Sequence, residues 1–460
     1  MNIKKSTIIT IFLFYLVLIL LWGIGNFTNT DFVALVVYIF FLLEVYHIDK
    51  KILVKYMFMF VMFSYHLLSV FISDNFKITF YNLMKSSYKT GCFIPLLLYY
   101  MIYFAVVIIL ESSDKKTMYN KDKFRSKKYF FGSFTISEKK LVRFVSGILI
   151  VFTAVMVVRM GKNSFYSLGG IDRFEYRSTY FSELDEKFYT YILWLLPIPL
   201  MGNNLKMKKS ANLFFVFYCL YMISVGDKFG SLFIAFYFYM LVSWATQEMD
   251  KKLIKKMGVI VVVMLIALLA FVTFQVLYDK GTWDEVLIYF KNRLTGGQSD
   301  LWWGIFSIEK GGSWRLTEFF KDEVCAIFNK PSDVIDYNFG IYKMMRVTAP
   351  SSVVNSYLSR GVRFAASTQA SLFYYFKYTG LIIGSILMGK VSFVLVNNAV
   401  KAYQKFDILR AILYTMFISK FIQIMTMSDI TMLGNSTTIL GVIALITLKI
   451  LESQKSLSTG

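Results

Sequence analysis

The chain has 460 residues, of which 57% are hydrophobic and 18% aromatic, with five prolines and a formal net charge of +21. A mean hydropathy of +0.55 excludes an ordinary soluble protein, so the basic excess must be divided by side of a membrane before it says anything about nucleic acid. Cys92 and Cys219 fall within apolar runs and Cys325 has no obvious partner, so no disulfide framework or zinc site is implied.

Apolar runs long enough to cross about 30 Å of hydrocarbon as helices recur along the chain between charged breaks. Twelve spans are predicted: 6–24, 32–47, 52–72, 91–110, 141–158, 188–202, 212–226, 229–247, 257–278, 370–396, 410–427 and 436–451. The first follows Lys4 and Lys5, but its run is long and no small-x-small site follows, so it is read as a helix and not a signal peptide. The expected fold is therefore an all-α integral membrane protein of about twelve transmembrane helices, with residues 1–460 forming a single polytopic domain.

With the N-terminus in the cytoplasm, the loops at 47–51, 111–140, 206–209, 251–256 and 401–410 all fall inside, and all are basic. That satisfies the positive-inside rule and closes the topology as N-in and C-in. Arginine runs against the trend: eight of eleven (Arg159, Arg173, Arg177, Arg293, Arg315, Arg346, Arg360 and Arg363) are expected outside. A guanidinium fork matches phosphate oxygens bidentately, so these side chains suit an anionic head group; pairing with neighbours such as Glu175, Glu183 and Asp185 is the plainer account.

Two outside loops are long: 159–187, the first substantial external loop, and 279–369, the large external loop between helices nine and ten. In the latter, residues 314–328 place Leu316, Phe319, Phe320, Val324, Ile327 and Phe328 on one helical face with charges opposite. Such a helix lies on a membrane surface or packs on the bundle. Glu44, Lys377, Lys390 and Lys420 fall at or within predicted spans, where an ionisable group needs a cavity or a partner.

The loop residues that carry candidate chemistry are clustered. Gly169 and Gly170 precede Arg173 and Arg177, which share a face if the segment is helical and could clamp a pyrophosphate. Arg360 and Arg363 flank Gly361 just before helix ten, and Asp227 and Lys228 occupy a very short outside turn. Glu183 and Asp185 form a carboxylate pair open to a divalent ion or to the nearby arginines, and no metal or cofactor is expected. His47 and His66 are the two histidines and neither is expected outside; nucleotide-binding glycine loops are absent, so an outer-face reaction needs an already activated substrate.

Over nearly its whole length this plan resembles the Wzy-type polysaccharide repeat-unit polymerases. Similar segments are GlyGlyIleAspArgPheGluTyrArg (169–177), GlyAspLysPheGlySerLeu (226–232), and GlyValArgPheAlaAlaSerThr (361–368) leading into 371–381. Lys228 stands where the family commonly has arginine. The resemblance implies a glycosyltransferase of the bacterial inner (plasma) membrane. It would join polyprenyl-pyrophosphate-linked oligosaccharide units into O-antigen or capsular polysaccharide on the outer face, without metal. It further implies that Arg173, Arg177, Lys228, Arg360 and Arg363 hold the leaving pyrophosphate and that Glu175 or Asp227 serves as base. The implied partners are the lipid-linked saccharide, membrane lipid and a chain-length regulator protein, and not nucleic acid. A flippase for the same lipid-linked sugars and an O-antigen ligase are the competing readings; the large external loop weighs against the flippase and the missing outside histidine against the ligase.

Overall fold

The computed structural model describes residues 5–25, 28–76, 89–113, 128–131, 134–162, 190–201, 205–224, 229–246, parts of 259–278, 281–294, 296–359, 363–364 and 368–458. Its helices are α1 (Lys5–Ile24), α2 (Thr28–Lys55), α3 (Met57–Asn75), α4 (Phe93–Ser113), α5 (Glu138–Lys162), α6 (Pro197–Met201), α7 (Leu205–Ser224) and α8 (Phe229–Thr246). They continue as α9 (Trp283–Leu294), α10 (Gly296–Glu309), α11 (Leu316–Phe319), α12 (Cys325–Phe328), α13 (Gly340–Thr348), α14 (Ser351–Ser359), α15 (Thr368–Gln404), α16 (Ile408–Met427) and α17 (Ser436–Ser458). The described residues of the predicted spans are largely helical; most of 257–278 and the ends of 188–202, 212–226 and 229–247 lie outside the described residues. The all-α expectation needs one addition. An antiparallel hairpin, β1 (Lys128–Phe131) with β2 (Phe134–Ser137), pairs Tyr129 with Ile136 and Phe131 with Phe134 in the 111–140 loop. Its tyrosine, phenylalanines, threonine and isoleucine suit a pleated strand.

Among the described residues, six helices are long and apolar enough to cross a membrane: Thr28–Lys55, Met57–Asn75, Phe93–Ser113, Thr368–Gln404, Ile408–Met427 and Ser436–Gln454. Burial supports that reading. Asp31, Asp74 and Lys55 are buried, while Leu20 and Phe12 of α1, Leu387 of α15 and Leu440 and Ile443 of α17 are exposed. Exposed aliphatic side chains with charged groups buried among the packed helices are the pattern expected where the surrounding solvent is hydrocarbon. This is a multi-pass membrane protein.

The chain gathers into two compact units, each built from non-contiguous segments: Met1–Met118 with Phe290–Val396 and Ile418–Leu440, and Tyr119–Tyr289 with Asn397–Phe417 and Gly441–Gly460. In the first, Phe60 stacks on Phe104 at 3.9 Å between ring centroids and Phe63 on Tyr100 at 4.0 Å. The start of α2 meets the end of α3 through Asn75 Nδ2, which donates to Asp31 Oδ2 at 3.0 Å, and Lys89 Nζ adds a 2.8 Å ion pair to the same carboxylate. Asp74 takes the backbone N–H groups of Thr90 and Gly91, which lead into α4. At the far end of α4, Glu111 pairs with Lys55 at 2.5 Å and accepts from the Tyr56 hydroxyl at 2.6 Å. The two polar clusters therefore pin opposite ends of three helices in alternating direction. Within α2, Asp49 leaves the helix (φ −161°, ψ 104°) and its carboxylate caps the next turn through Lys51 N at 2.9 Å.

Helix α15 approaches α4 closely at Gly389, where a Cβ would lie 2.9 Å from the Tyr103 carbonyl oxygen. Only glycine permits that approach, and Tyr103 donates its hydroxyl to Ser392 at 2.6 Å beside it. In the second unit Trp194, Leu413, Met416 and Leu448 form a buried apolar cluster.

Lys55 and Glu111 are both largely buried, with 4% and 11% of their side chains exposed. Lys55→Met, which strands the Glu111 charge, is expected to cost about 3 kcal/mol. Adding Glu111→Gln should recover most of the loss, because no uncompensated charge remains. Thermal melts of both variants in detergent check this, and a single variant as stable as the parent would dismiss the pair as a contributor.

Candidate functional site

In α10 the side chains of Trp302, Ile305 and Phe306 are fully buried, and Phe306 stacks on Phe373 of α15 at 5.0 Å. That packing fixes Glu309 at the C-terminal end of the helix, where the helix dipole disfavours a carboxylate and cations must compensate. Arg315 Nη2 donates to both its oxygens, at 2.8 and 3.0 Å, and Lys377 Nζ reaches Oε2 at 2.8 Å. Lys377 takes a left-handed conformation (φ 56°) that kinks α15. Gly312 leaves it room: a Cβ there would stand 2.7 Å from Lys377 Nζ.

From Arg315 the ion pairs run along the segment 316–328. Its middle, Phe320–Val324, is π-helical, and the wider turn lets Glu318, Asp322 and Glu323 all face the protein. Arg315 Nη1 donates to Glu318 at 3.3 Å and to the Tyr374 hydroxyl at 2.9 Å, and Lys343 Nζ bridges Glu318 and Asp322 at 2.8 Å each. Burial alone would raise the Glu318 carboxyl, but Lys343 and Tyr374 outweigh it and hold it below the usual range. Arg315, Lys343 and Lys377 thus balance Glu309, Glu318 and Asp322. Such a balanced cluster positions the segment and has no charge left over for a ligand.

The sequence places the apolar residues of 314–328 on one face and leaves open whether they meet lipid or the bundle. Leu316, Phe320 and Phe328 are exposed, as is Trp314, while Phe319 packs on Tyr375 and Phe376 and the carboxylates point inward, so the charged face and Phe319 together pack on protein.

Glu323 is different. It is 2% exposed; its Oε1 accepts from Gly340 N at 2.7 Å and from the Tyr375 hydroxyl at 3.0 Å. Its Oε2 has no hydrogen-bond partner among the described residues. Burial pushes the carboxyl up from its ordinary 4.5 to about 7; the two donors oppose the shift and the charges of Asp322 and Asp429 add to it. Gly340 has φ +50°, and a Cβ there would lie 2.6 Å from the Ser428 carbonyl oxygen, so this donor position requires glycine.

Beside the same locus the buried rings of Tyr337, Phe339 and Tyr342 pack with centroids 4.9–5.6 Å apart. Lys330 Nζ stands over Tyr337 at 4.9 Å and Phe339 at 5.6 Å, and the Arg363 guanidinium lies 5.4 Å from the Tyr342 ring. Arg363 Nη1 also contacts Met427 Sδ at 3.5 Å. Both cations are exposed, and neither makes an ion pair among the described residues. Burial raises the Tyr342 hydroxyl to about 12, which Arg363 moderates. Arg346 donates to the Tyr337 and Ile335 carbonyls and so holds the turn that carries the platform.

Of the residues singled out in the sequence, Arg363 lies in this locus; Arg173, Glu175, Arg177, Asp227, Lys228 and Arg360 lie outside the described residues. Arg315 is committed to structural pairing, and Lys420 donates to the Thr437 and Thr438 hydroxyls at 2.7 and 2.6 Å. Sequence reasoning missed Glu323, Lys330 and Tyr342. Glu323 reads there as one member of a charged helix face, and burial is what distinguishes it.

Residues 335–442, less than half the chain, match a family model described as "Family of unknown function (DUF6418)". The match takes in Gly340, Arg363, Tyr375 and Asp429 but not Glu323 or Lys330. No curated protein and no solved structure matches the chain.

The raised Glu323 carboxyl has a pH signature. The folded chain holds a proton that the unfolded chain releases above 4.5, so this group's contribution is fully present below 4.5 and falls as pH rises through about 7. Glu323→Gln keeps an acceptor for Gly340 and cannot ionise. Thermal melts at pH 5 and pH 8 are expected to differ more in the parent than in the variant; equal differences would place the titration elsewhere.

Proposed function

We propose that the chain is a glycosyltransferase that joins polyprenyl-pyrophosphate-linked oligosaccharide units, with the lipid pyrophosphate as leaving group, on the outer face of a bacterial inner membrane. The observation that carries this reading is the pairing of two unneutralised cations, Lys330 and Arg363, on an aromatic platform with an enclosed carboxyl held near neutrality, Glu323. Cations free of carboxylates suit phosphate oxygens. The resemblance to the Wzy-type polymerases supports the same reading, and Arg360, adjacent in sequence, would join Arg363; Arg173, Arg177 and Lys228 would complete the pyrophosphate group.

In the transfer, an acceptor hydroxyl forms the new bond to the anomeric carbon while the bond from that carbon to the phosphate oxygen breaks. The electron pair leaves with the lipid pyrophosphate, whose charge Arg363 and Lys330 stabilise. The hydroxyl proton passes to ionised Glu323, a group whose pKa near 7 suits general-base work. Glu323 Oε2 is buried, so the acceptor must displace part of the surrounding fold to reach it.

A second reading has its own support. The charges inside the first unit, Asp31 with Lys89 and Glu309 with Lys377, suit a flippase that moves the same lipid-linked sugars.

One experiment separates them: surface polysaccharide and lipid-linked intermediates from cells lacking the chain, with and without its restoration. Single repeat units at the surface without a ladder mean polymerase, units trapped inside mean flippase, long chains left on the carrier mean ligase, and an unchanged ladder rejects all three. Arg363→Ala is expected to abolish extension at equal protein levels and Arg363→Lys to recover little, since the fork is lost. Extension in vesicles should rise with pH through about 7, because the base is the ionised form, and Glu323→Gln should abolish it. Normal chain lengths in both Arg363→Ala and Glu323→Gln would eliminate this site.

A further inference from the structure

In the second unit the end of α15, the start of α16 and the last turns of α17 enclose a cavity of about 350 Å³. Its wall carries four cations, Lys401, Lys405, Arg410 and Lys449, and one carboxylate, Asp407. The carboxylate is committed to the fold. Asp407 caps α16 by accepting from Arg410 N at 3.1 Å, and Arg410 Nη1 donates both to Asp407 Oδ2 at 3.4 Å and to Glu452 Oε1 at 2.7 Å. Arg410 is thereby fixed at the wall. Lys405 and Lys449 are exposed and make no ion pair among the described residues.

The backbone makes this concentration of charge possible. Phe406 adopts φ 55°, and Asp407 N bonds back to Ala402 O at 3.0 Å, so the chain leaves α15 and enters α16 without a spacer. Lys401 and Lys405 are one helical turn apart at the end of α15, where the dipole favours cations. On α17, Leu445 and Ile446 line the cavity one turn before Lys449, and the exposed Ile443 continues that apolar strip along the helix away from the lysine. A cationic pocket opening onto an apolar strip matches a molecule with a phosphate at one end and acyl chains at the other.

We propose that this cavity binds a phosphate-bearing anion, and that the apolar strip makes an anionic phospholipid its ligand, taken from the leaflet that the basic loops assign to the cytoplasm. The site is independent of the glycosyl-transfer reading, because none of its residues takes part in that chemistry.

The test uses the full chain in nanodiscs of phosphatidylcholine alone or with phosphatidylglycerol, and in detergent with or without inorganic phosphate. Phosphatidylglycerol is expected to raise the melting temperature by a few degrees. Lys405→Gln/Lys449→Gln should lose that rise while melting as the parent does in phosphatidylcholine, and Lys50→Gln/Lys51→Gln, a pair of exposed lysines elsewhere, should keep it. Native mass spectrometry provides a second reading: phosphatidylglycerol retained per chain should drop in the first double variant only. A rise with inorganic phosphate in detergent, lost in the same variant and without a phosphatidylglycerol effect, would keep the phosphate site and overturn the lipid as its source. No rise with either probe, or a rise that survives the Lys405 and Lys449 substitutions, would overturn the site.

Discussion

A carboxylate at the C-terminal end of a buried helix faces a low dielectric and the negative end of a dipole together, and Glu309 is in that position. Its two cations determine much of what surrounds it. Lys377 meets it by kinking α15, and the kink brings Gly380 and Gly384 against Leu372, where a Cβ would stand 2.4 Å from its carbonyl oxygen or its side chain. Arg315 meets it while its own backbone N–H bonds to Tyr375 O at 2.8 Å, which ties the start of the 316–328 segment to α15. Tyr375 is then placed to donate to Glu323. The site follows from the way one buried charge is compensated.

Within that frame the first unit treats charge in two ways. Along Arg315, Glu318, Asp322 and Lys343 every charge has a partner within 3.3 Å, which makes the segment rigid and chemically inert. Around Glu323 the neighbouring charges are carboxylates, and the group is left with one free oxygen and a proton affinity near neutral pH. Lys330 and Arg363 sit on aromatic faces and not on carboxylates, so their positive charge remains available. Perturbed acidity beside uncompensated cations is the pattern of a site that acts on a ligand.

The 316–328 segment also shows how hydrocarbon changes the meaning of amphipathicity. In water its apolar stripe would face the core. Here Leu316, Phe320 and Phe328 are exposed, and the carboxylates pack inward, where they find ammonium, guanidinium and hydroxyl partners. The same pattern recurs across the helices: aliphatic residues of α1, α15 and α17 are exposed, while Asp31 and Lys55 of α2 and Asp74 of α3 are buried.

The sequence by itself determined that the chain is helical and membrane-spanning and roughly where each helix lies, because hydrophobic length and charged breaks are local properties. It also identified Lys377 and Lys420 as ionisable groups within spans that must find partners, since no residue in hydrocarbon avoids that requirement. It could not say that the partners would be Glu309 for one and two threonine hydroxyls for the other. Nor could it separate Arg315, which is neutralised, from Arg363, which is not, or pick Glu323 out of a run of charged residues. Those distinctions depend on contacts between residues up to 68 positions apart, as with Glu309 and Lys377, and on how completely each group is taken out of solvent. Distance along the chain encodes neither, so only the tertiary structure decided which charges hold the fold and which remain free to act.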